Sequence, residues 1–411
     1  MNFTPLPQHD DPIITQFKPV RGQWELTEDN INRIDPETGH TILHKYCRYI
    51  NSTPLEVWRY LIETRGCDIN VSNKYKNTPV HDAILFFDPN EGGDITVLHY
   101  LLSQNGIDGN IKDTYGYTLL HRACENIHKF PLEIFQHLIE TLGCDINAQD
   151  DNKNTPLHEA LRYFDPNEGG DITVLMYLLS QKIVDVNIKG IDGYSLLHWA
   201  CSKINTLPLE IFKLLIETKG CDVNAHDNYG DTPIHVAFRY FDPNEGGDIT
   251  VLTYLLSQKG IDPKIKDKNG YTILHWACEK INHLPLDIFK FLIEKHGCDI
   301  NVLDRDDNTP LHLAFHSLNP NNDNNITLFA YLINQNNFNL NIKDQDGYTF
   351  LHLACICNIL DLDDYMDSED GFSDSEDDGN DLKAKSDTVL SQIVEIIAER
   401  CVEQIVNESS S

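Results

Sequence analysis

A histidine that returns at a fixed interval constrains the fold of this chain more than any other feature. The tetrapeptide Thr-Pro-x-His occurs four times, with its histidines 77 positions apart at His81, His158, His235 and His312. A second series, Gly-x-Thr/Ser-x-Leu-His, has the same interval and places His44, His121, His198, His275 and His352. The two series interleave at alternating steps of 37 and 40 residues. The chain is therefore an array of nine similar repeats of two alternating kinds, called here A (Leu-His) and B (Thr-Pro).

Composition limits the kinds of partner that the array can have. An array grows by adding repeats to one continuous core, so its 411 residues do not fix a number of domains. The 64 acidic and 32 basic residues give a net charge of -32, which argues against nucleic acid and anionic membranes as partners because both repel it. The sequence shows no signal peptide and no apolar stretch long enough to cross a bilayer. We expect a soluble, cytoplasmic and monomeric protein in a reducing environment.

Most of the cysteines keep the register of the repeats. Cys47, Cys124, Cys201, Cys278 and Cys355 lie three residues after a repeat histidine, while Cys67, Cys144, Cys221 and Cys298 occur in Gly-Cys-Asp. Cysteines at equivalent positions are typical of a small apolar residue that fills the same place in the core of each repeat. We therefore predict structural rather than reactive thiols.

The A repeat at 193–224 predicts a helix, a loop, a second helix and a turn. Ser195 can cap a short first helix, Pro208 suits the first turn of the second helix, and Gly220 can end it. The apolar stripe of the second helix is predicted at Ile211, Leu214, Leu215 and Ile216. A single helix pair would leave this stripe in water, so neighbouring repeats must cover it.

The B repeats have a longer loop between their helices. This loop reads Asp-Pro-Asn-Glu-Gly-Gly-Asp at 88–94, 165–171 and 242–248, and it decays to an Asn-rich sequence at 319–325. The last Asp of each intact copy, which is Asp94, Asp171 or Asp248, is predicted to cap the second helix.

The ends of the chain differ from the array. We predict an N-terminal leader or cap at 1–34, the repeat array at 35–360, an acidic disordered loop at 361–386 within the last repeat, and a C-terminal capping helix and tail at 387–411. Ser373 and Ser375 each have an acidic residue three positions later, which is typical of acid-directed kinase sites. The acidic loop could equally be unmodified and serve only to increase solubility.

The repeated residues resemble the ankyrin repeat. The pattern is Asp-x-x-Gly-x-Thr-Pro-Leu-His-x-Ala, a second helix with Leu-Leu or Leu-Ile, and then Gly-x-Asp-Ile/Val-Asn, as at 154–160 and 220–224. The resemblance covers position 35 to the end and implies an all-α solenoid that binds proteins without catalysis. The A and B repeats exceed the usual 33 residues by four and seven, between the two helices, which a loop tolerates at little entropic cost.

The resemblance also implies a binding surface, because variable residues of the turns and of the first helices line the concave face in this family. The candidate residues there are Arg48, Tyr49, Tyr115, Arg162, Tyr163, Lys203, Tyr229, Arg239, Tyr240, Lys268, Lys280 and Arg305. Arg and Tyr are typical of binding hot spots, and the basic residues suggest a protein partner with an acidic or mixed-charge surface. We hypothesise that Arg162→Glu combined with Arg239→Glu abolishes capture of the partner and leaves the fold intact.

Three kinds of chemical site are conceivable in this sequence: a zinc site, a calcium site and a Cys–His nucleophile. The spacing His-x-x-Cys could hold zinc and occurs at His121/Cys124, His198/Cys201, His275/Cys278 and His352/Cys355. The resemblance instead implies a histidine that hydrogen-bonds near the turn. The Asp-Pro-Asn-Glu-Gly-Gly-Asp loops offer oxygen ligands for calcium but lack the spacing of a twelve-residue calcium loop. A Cys nucleophile with a His base has no unique set of residues in a repeating chain.

We therefore predict a non-catalytic scaffold that needs no metal and no cofactor. Two alternatives stay open. The scaffold could be a bacterial effector that acts in the cytoplasm of a eukaryotic host, with the Ser-ending tail 395–411 as a weak export signal. An unrecognised enzyme site in the leader or the tail is the other alternative.

Overall fold

The computed structural model describes residues 34–317, 323–344, 346–349, 352, 392, 395–400 and 402. The predicted acidic loop, Ser373, Ser375 and nearly all of the leader lie outside these residues. Of the predicted C-terminal cap, 395–400 are helical. The chain divides into two compact units, Met1–Ile191 and Asp192–Ser411, which we call the N-terminal and C-terminal units and describe separately.

Each of the first eight repeats forms a pair of helices, and the regular structure of the described residues is helical throughout. The N-terminal unit contains α1 (Ile42–Cys47), α2 (Leu55–Arg59), α3 (Pro79–Phe86), α4 (Ile95–Leu102), α5 (Leu119–Glu125), α6 (Leu132–Gln136), α7 (Pro156–Tyr163) and α8 (Ile172–Ser180). The C-terminal unit contains α9 (Leu196–Ser202), α10 (Leu209–Lys213), α11 (Pro233–Tyr240), α12 (Ile249–Leu256), α13 (Ile273–Glu279), α14 (Leu286–Lys290), α15 (Pro310–His316) and α16 (Asp323–Ile333). The all-α repeat architecture predicted from the sequence is confirmed.

The repeat histidine joins the start of one repeat to the turn of the next. In α1, the Thr41 backbone N–H donates to His44 Nδ1 at 3.1 Å, so the other ring nitrogen carries the proton. Nε2 of His44 then donates to the backbone oxygen of Asn77 at 2.9 Å. His121 makes the equivalent bond to Asn154 at 3.1 Å, and His275 makes it to Asn308 at 3.3 Å. The structural role implied for this histidine is confirmed, and burial holds the pKa of His44 at about 4.

The second helix α10 follows the predicted apolar stripe in part, because Ile211 and Leu215 are buried while Leu214 is half-buried. Helix α10 continues into a π-helical turn at Leu214–Thr218, where the Lys219 N–H donates to the Leu214 oxygen, five residues back, at 3.0 Å. Phe212, just before this turn, is fully buried, and Ile216 within it is half-buried. The prediction omitted Phe212, although Phe212 and Leu215 are three residues apart and share one face of an α-helix. Gly220, with φ +73°, ends the helix as predicted.

The cysteines of the described repeats are core residues. Cys47, Cys67, Cys124, Cys144, Cys201, Cys221, Cys278 and Cys298 are unpaired and buried. Burial raises the pKa of the Cys144 and Cys221 thiols to about 12. These thiols stay protonated at neutral pH, which agrees with the structural role predicted for them.

The loop of the B repeat is capped at both of its ends. The Asp94 carboxylate accepts the Thr96 backbone N–H at 2.9 Å and so begins α4, and Asp171 and Asp248 do the same for α8 and α12. The carboxylate of Asp88 accepts the Asn90 backbone N–H at 2.9 Å. The predicted capping role is confirmed. The carboxylates proposed as calcium ligands are thus engaged with the backbone, and no group of three potential metal ligands occurs among the described residues.

Candidate partner-binding surfaces

In the N-terminal unit, backbone hydrogen bonds set the turns that precede successive first helices side by side. The Thr114 N–H donates to the Tyr75 oxygen, and the Asp151 N–H donates to the Tyr115 oxygen, both at 3.0 Å. Tyr75 and Tyr115 therefore lie on consecutive turns, and their side chains are 56% and 66% exposed. Tyrosine offers a large contact area with a polar end, so the two exposed side chains are accessible to a partner protein.

The first helices of the same unit add two basic–aromatic pairs. Tyr49, 52% exposed, follows Arg48 at the end of α1, and the Arg48 guanidinium lies 5.8 Å from the ring centre of exposed Phe86 on α3. At the end of α7, the Arg162 guanidinium lies 5.2 Å from the ring centre of Tyr163. The structure thus places these four predicted residues, together with Phe86, at the ends of first helices. Phe86 was missed because it stands where the other described B repeats have Tyr or Ser.

A buried ion pair in this unit was not predicted from the sequence. The Arg122 guanidinium on α5 bonds the Asp113 carboxylate, and Arg122 also lies 4.5 Å from the ring centre of Tyr117. The Asp113 side chain is almost wholly buried. Arg122 is the residue directly after the repeat histidine, where the B repeats have Asp, Glu, Val and Leu, so only its charge distinguished it in the sequence.

In the C-terminal unit, Arg239 does not stand free on the surface. Its Nη2 lies 2.7 Å from the carboxylate of Asp231, whose side chain is 2% exposed, and its guanidinium lies 4.6 Å from the ring centre of Trp276. Burial raises the pKa of Asp231, and the charge of Arg239 opposes that shift. The Glu introduced by Arg239→Glu would face a buried carboxylate, so this substitution perturbs folding as well as binding. Tyr240 is 48% exposed and stays accessible.

The remaining predicted residues of this unit lie on turns and at helix ends. Lys268 Nζ lies 3.8 Å from the ring centre of Tyr229, and the Lys268 backbone N–H donates to the Tyr229 oxygen at 2.8 Å. Arg305 is exposed on the next turn, where its backbone N–H donates to the backbone oxygen of Asn269. Lys203 and Lys280 are half-buried and follow the ends of α9 and α13. The structure therefore brings Tyr229 and Lys268 into contact, while Lys203 and Lys280 belong to two different A repeats.

Comparison with known proteins gives the family. A model described as ankyrin repeats matches residues 20–113, 89–190, 165–267, 243–322 and 285–366. The chain belongs to the ankyrin-repeat family. This family is generally non-catalytic and mediates contacts between proteins.

Similar proteins include two from Dictyostelium discoideum and one from variola virus. The NAD-dependent deacetylase sir2B is 27% identical over 58% of this chain and 27% of its own length. A probable serine/threonine-protein kinase is 38% identical over 22% of this chain and 10% of its own length. The ankyrin repeat protein OPG189 of variola virus is 26% identical over 45% of this chain and 31% of its own length.

The chain thus spans less than a third of each of these relatives, and the deacetylase and kinase names describe proteins much longer than the matched part. None of the described helices of this ankyrin-repeat protein is both long and apolar enough to span a membrane.

Proposed function

We propose that this ankyrin-repeat protein is a non-catalytic scaffold that captures a protein partner on the concave face of the array. The contact residues are the tyrosines and basic residues of the turns and of the first helices. We further propose that it works as a monomer in the cytoplasm. Sedimentation of the purified chain tests whether it is a monomer. Fractionation of the native cell tests whether it is in the cytoplasm.

The observation that carries the proposal is the exposure of Tyr49 and Tyr240, each of which follows an arginine, and of Tyr115. Phe135 and Phe212, by contrast, are packed in the core. Tyr and Arg dominate binding hot spots because they join a large contact area to directed hydrogen bonds. A surface that leaves such residues in water is best explained by a partner that covers them.

The basic residues differ in how available they are to a partner. Arg239 is already paired with Asp231, whereas no described carboxylate lies within ion-pair distance of exposed Arg48, Lys268 or Arg305. These three residues are the better candidates to meet an acidic or mixed-charge surface. Charge reversal at Arg48 therefore tests the surface more cleanly than charge reversal at Arg162 and Arg239.

Affinity capture from extract of the native cell, read by quantitative mass spectrometry, tests this function. The test variant combines Arg48→Glu with Tyr49→Ser. Its matched control combines Lys182→Glu with Ile183→Ser, which removes one exposed basic and one exposed apolar residue from a turn after α8. We expect the test variant to lose at least about tenfold of its specific partner while its thermal melt is unchanged. The same captured proteins in equal amounts with both variants would contradict the proposal.

A further inference from the structure

Two lysines of the N-terminal unit occupy a backbone conformation that suits glycine. Lys76 has φ +59° and Lys153 has φ +66°. The equivalent turn position is glycine with positive φ in the other repeats that hold this conformation, except that Asp307 replaces it once: Gly39, Gly116, Gly193, Gly230, Gly270 and Gly347. Aspartate adopts left-handed backbone several times more readily than most side chains do, but lysine has no such preference. The conformation of the turn therefore does not explain why two repeats have lysine at this position.

The side chains of these lysines are exposed and lie on the same series of turns as two tyrosines. Lys74 and Lys76 flank Tyr75, the next turn presents Tyr115, and the following turn presents Lys153. We call these five residues the turn ridge. Among the described residues, no carboxylate lies within ion-pair distance of the three lysines. One exposed carboxylate, Asp151, lies on the same turns.

The turn ridge therefore carries a local positive charge on a chain whose net charge is -32. An acidic partner is repelled by most of the surface and attracted at this place, which gives the encounter a preferred site. The two tyrosines between the lysines offer apolar area for side chains that lie between the acidic groups of the partner.

We propose that the turn ridge binds an extended acidic segment of the partner protein, with one carboxylate group at Lys74 and Lys76 and another at Lys153. This inference rests on the proposed scaffold function and names the chemistry of its partner. The two lysine groups are two repeats apart, which is on the order of 20 Å if adjacent helices pack about 10 Å apart. An extended chain covers that length in about six residues, so the acidic groups of the segment should be separated by about that number.

The test uses glycine substitutions, which suit the backbone. The variant Lys76→Gly with Lys153→Gly restores the residue that other repeats use, so we expect an unchanged or higher melting temperature. The matched control replaces Lys182 and Lys259, which are exposed lysines of other loops, by glycine. The probe is a fluorescent peptide with two Glu-Glu pairs separated by five neutral residues, and its binding to the full chain is measured by anisotropy at low salt.

We expect the wild type and the control to bind the probe, and the Lys76/Lys153 variant to bind it about tenfold more weakly. A peptide with Gln in place of Glu, or with a single spacer residue, should bind weakly to all of them. Equal binding of the probe by the variant and the control would overturn the inference, as would stronger binding of a single-stranded oligonucleotide than of the peptide.

The same variants separate this inference from the proposed function. If the Lys76/Lys153 variant captures the native partner normally and the Arg48/Tyr49 variant does not, the scaffold function stands and the turn ridge is not its site. If neither change alters capture, both ideas are wrong. Loss of capture by the glycine variant with an intact fold supports the turn ridge.

Discussion

Because the repeat histidines are buried, we expect the fold to lose stability in mild acid. Burial lowers the pKa to about 4 in six of them: His44, His81, His121, His235, His275 and His312. Histidine in an unfolded chain has a pKa of about 6.5. Between these values the unfolded chain binds protons that the native chain excludes. The contribution of each histidine is therefore complete above about pH 6.5 and falls as the pH drops towards about 4.

The size of the effect follows from the two pKa values. Lowering the pH from 7 to 5 costs about 2 kcal/mol for each such histidine. Buried carboxylates act in the opposite direction, because burial raises the pKa of Asp82 to about 6 and its protonation in acid relieves about 1 kcal/mol. The total pH dependence therefore mixes both signs. A single substitution isolates the part that belongs to one histidine.

The substitution chosen is His275→Gln in the C-terminal unit. His275 Nδ1 accepts the Thr272 N–H at 3.0 Å, so a proton at Nδ1 would remove this acceptor. Glutamine does not titrate, and the variant should be less stable than the wild type at pH 7 by about 1 to 3 kcal/mol. Its slope of unfolding free energy against pH near pH 5 should fall by about one proton.

Urea denaturation between pH 5 and 8, followed by circular dichroism and tryptophan fluorescence, measures this slope. His226→Gln is the control, because it makes the same substitution at an exposed histidine of the same unit. A His275→Gln slope identical to that of the wild type would refute the assigned role of the buried neutral histidine. A loss of stability at pH 7 without a change of slope would also fail to support this role of His275.

Three further changes test the caps, the turns and the buried ion pair. Asp94→Ala should cost about 1 kcal/mol in urea denaturation because it removes a helix N-cap, and Asp94→Asn should recover most of this loss; equal losses would argue against capping. Gly116→Ala should lower the melting temperature more than Gly143→Ala does, because both have positive φ (+79° and +63°) but only at Gly116 would a Cβ lie 2.7 Å from backbone. Asp113→Asn should cost up to about 3 kcal/mol because Arg122 loses its buried carboxylate and keeps only the less buried Glu125, and an additional Arg122→Leu should restore much of that loss; strict additivity of the two changes would contradict the pairing.

The fold was predictable from the sequence because the repeat restates the same local rules many times. Ser195 as a cap, Gly220 as a stop and Asp248 as the start of α12 each follow from the needs of a helix end. The π-helical turns were not predictable in this way. In α10 this turn contains Ile216, which is half-buried, and follows Phe212, which is fully buried.

The candidate surface was predictable only as a set of positions. Register identified Arg162 and Arg239 as equivalent, but it could not show that Asp231 already holds Arg239 in the C-terminal unit. Register does place Lys76 and Lys153 at a position that is glycine in most repeats, but this signal was not used in the sequence predictions, and the structure supplies the positive φ.

The central claim is that the exposed tyrosines and basic residues of the turns and first helices form the partner-binding surface. The most direct measurement is photo-crosslinking in the native cell, with a photoreactive phenylalanine analogue placed at Tyr115 or, as a comparison, at the equally exposed Ile183. The account predicts a specific crosslinked protein from position 115 and none from position 183. A specific adduct at position 183 together with none at position 115 would contradict the account.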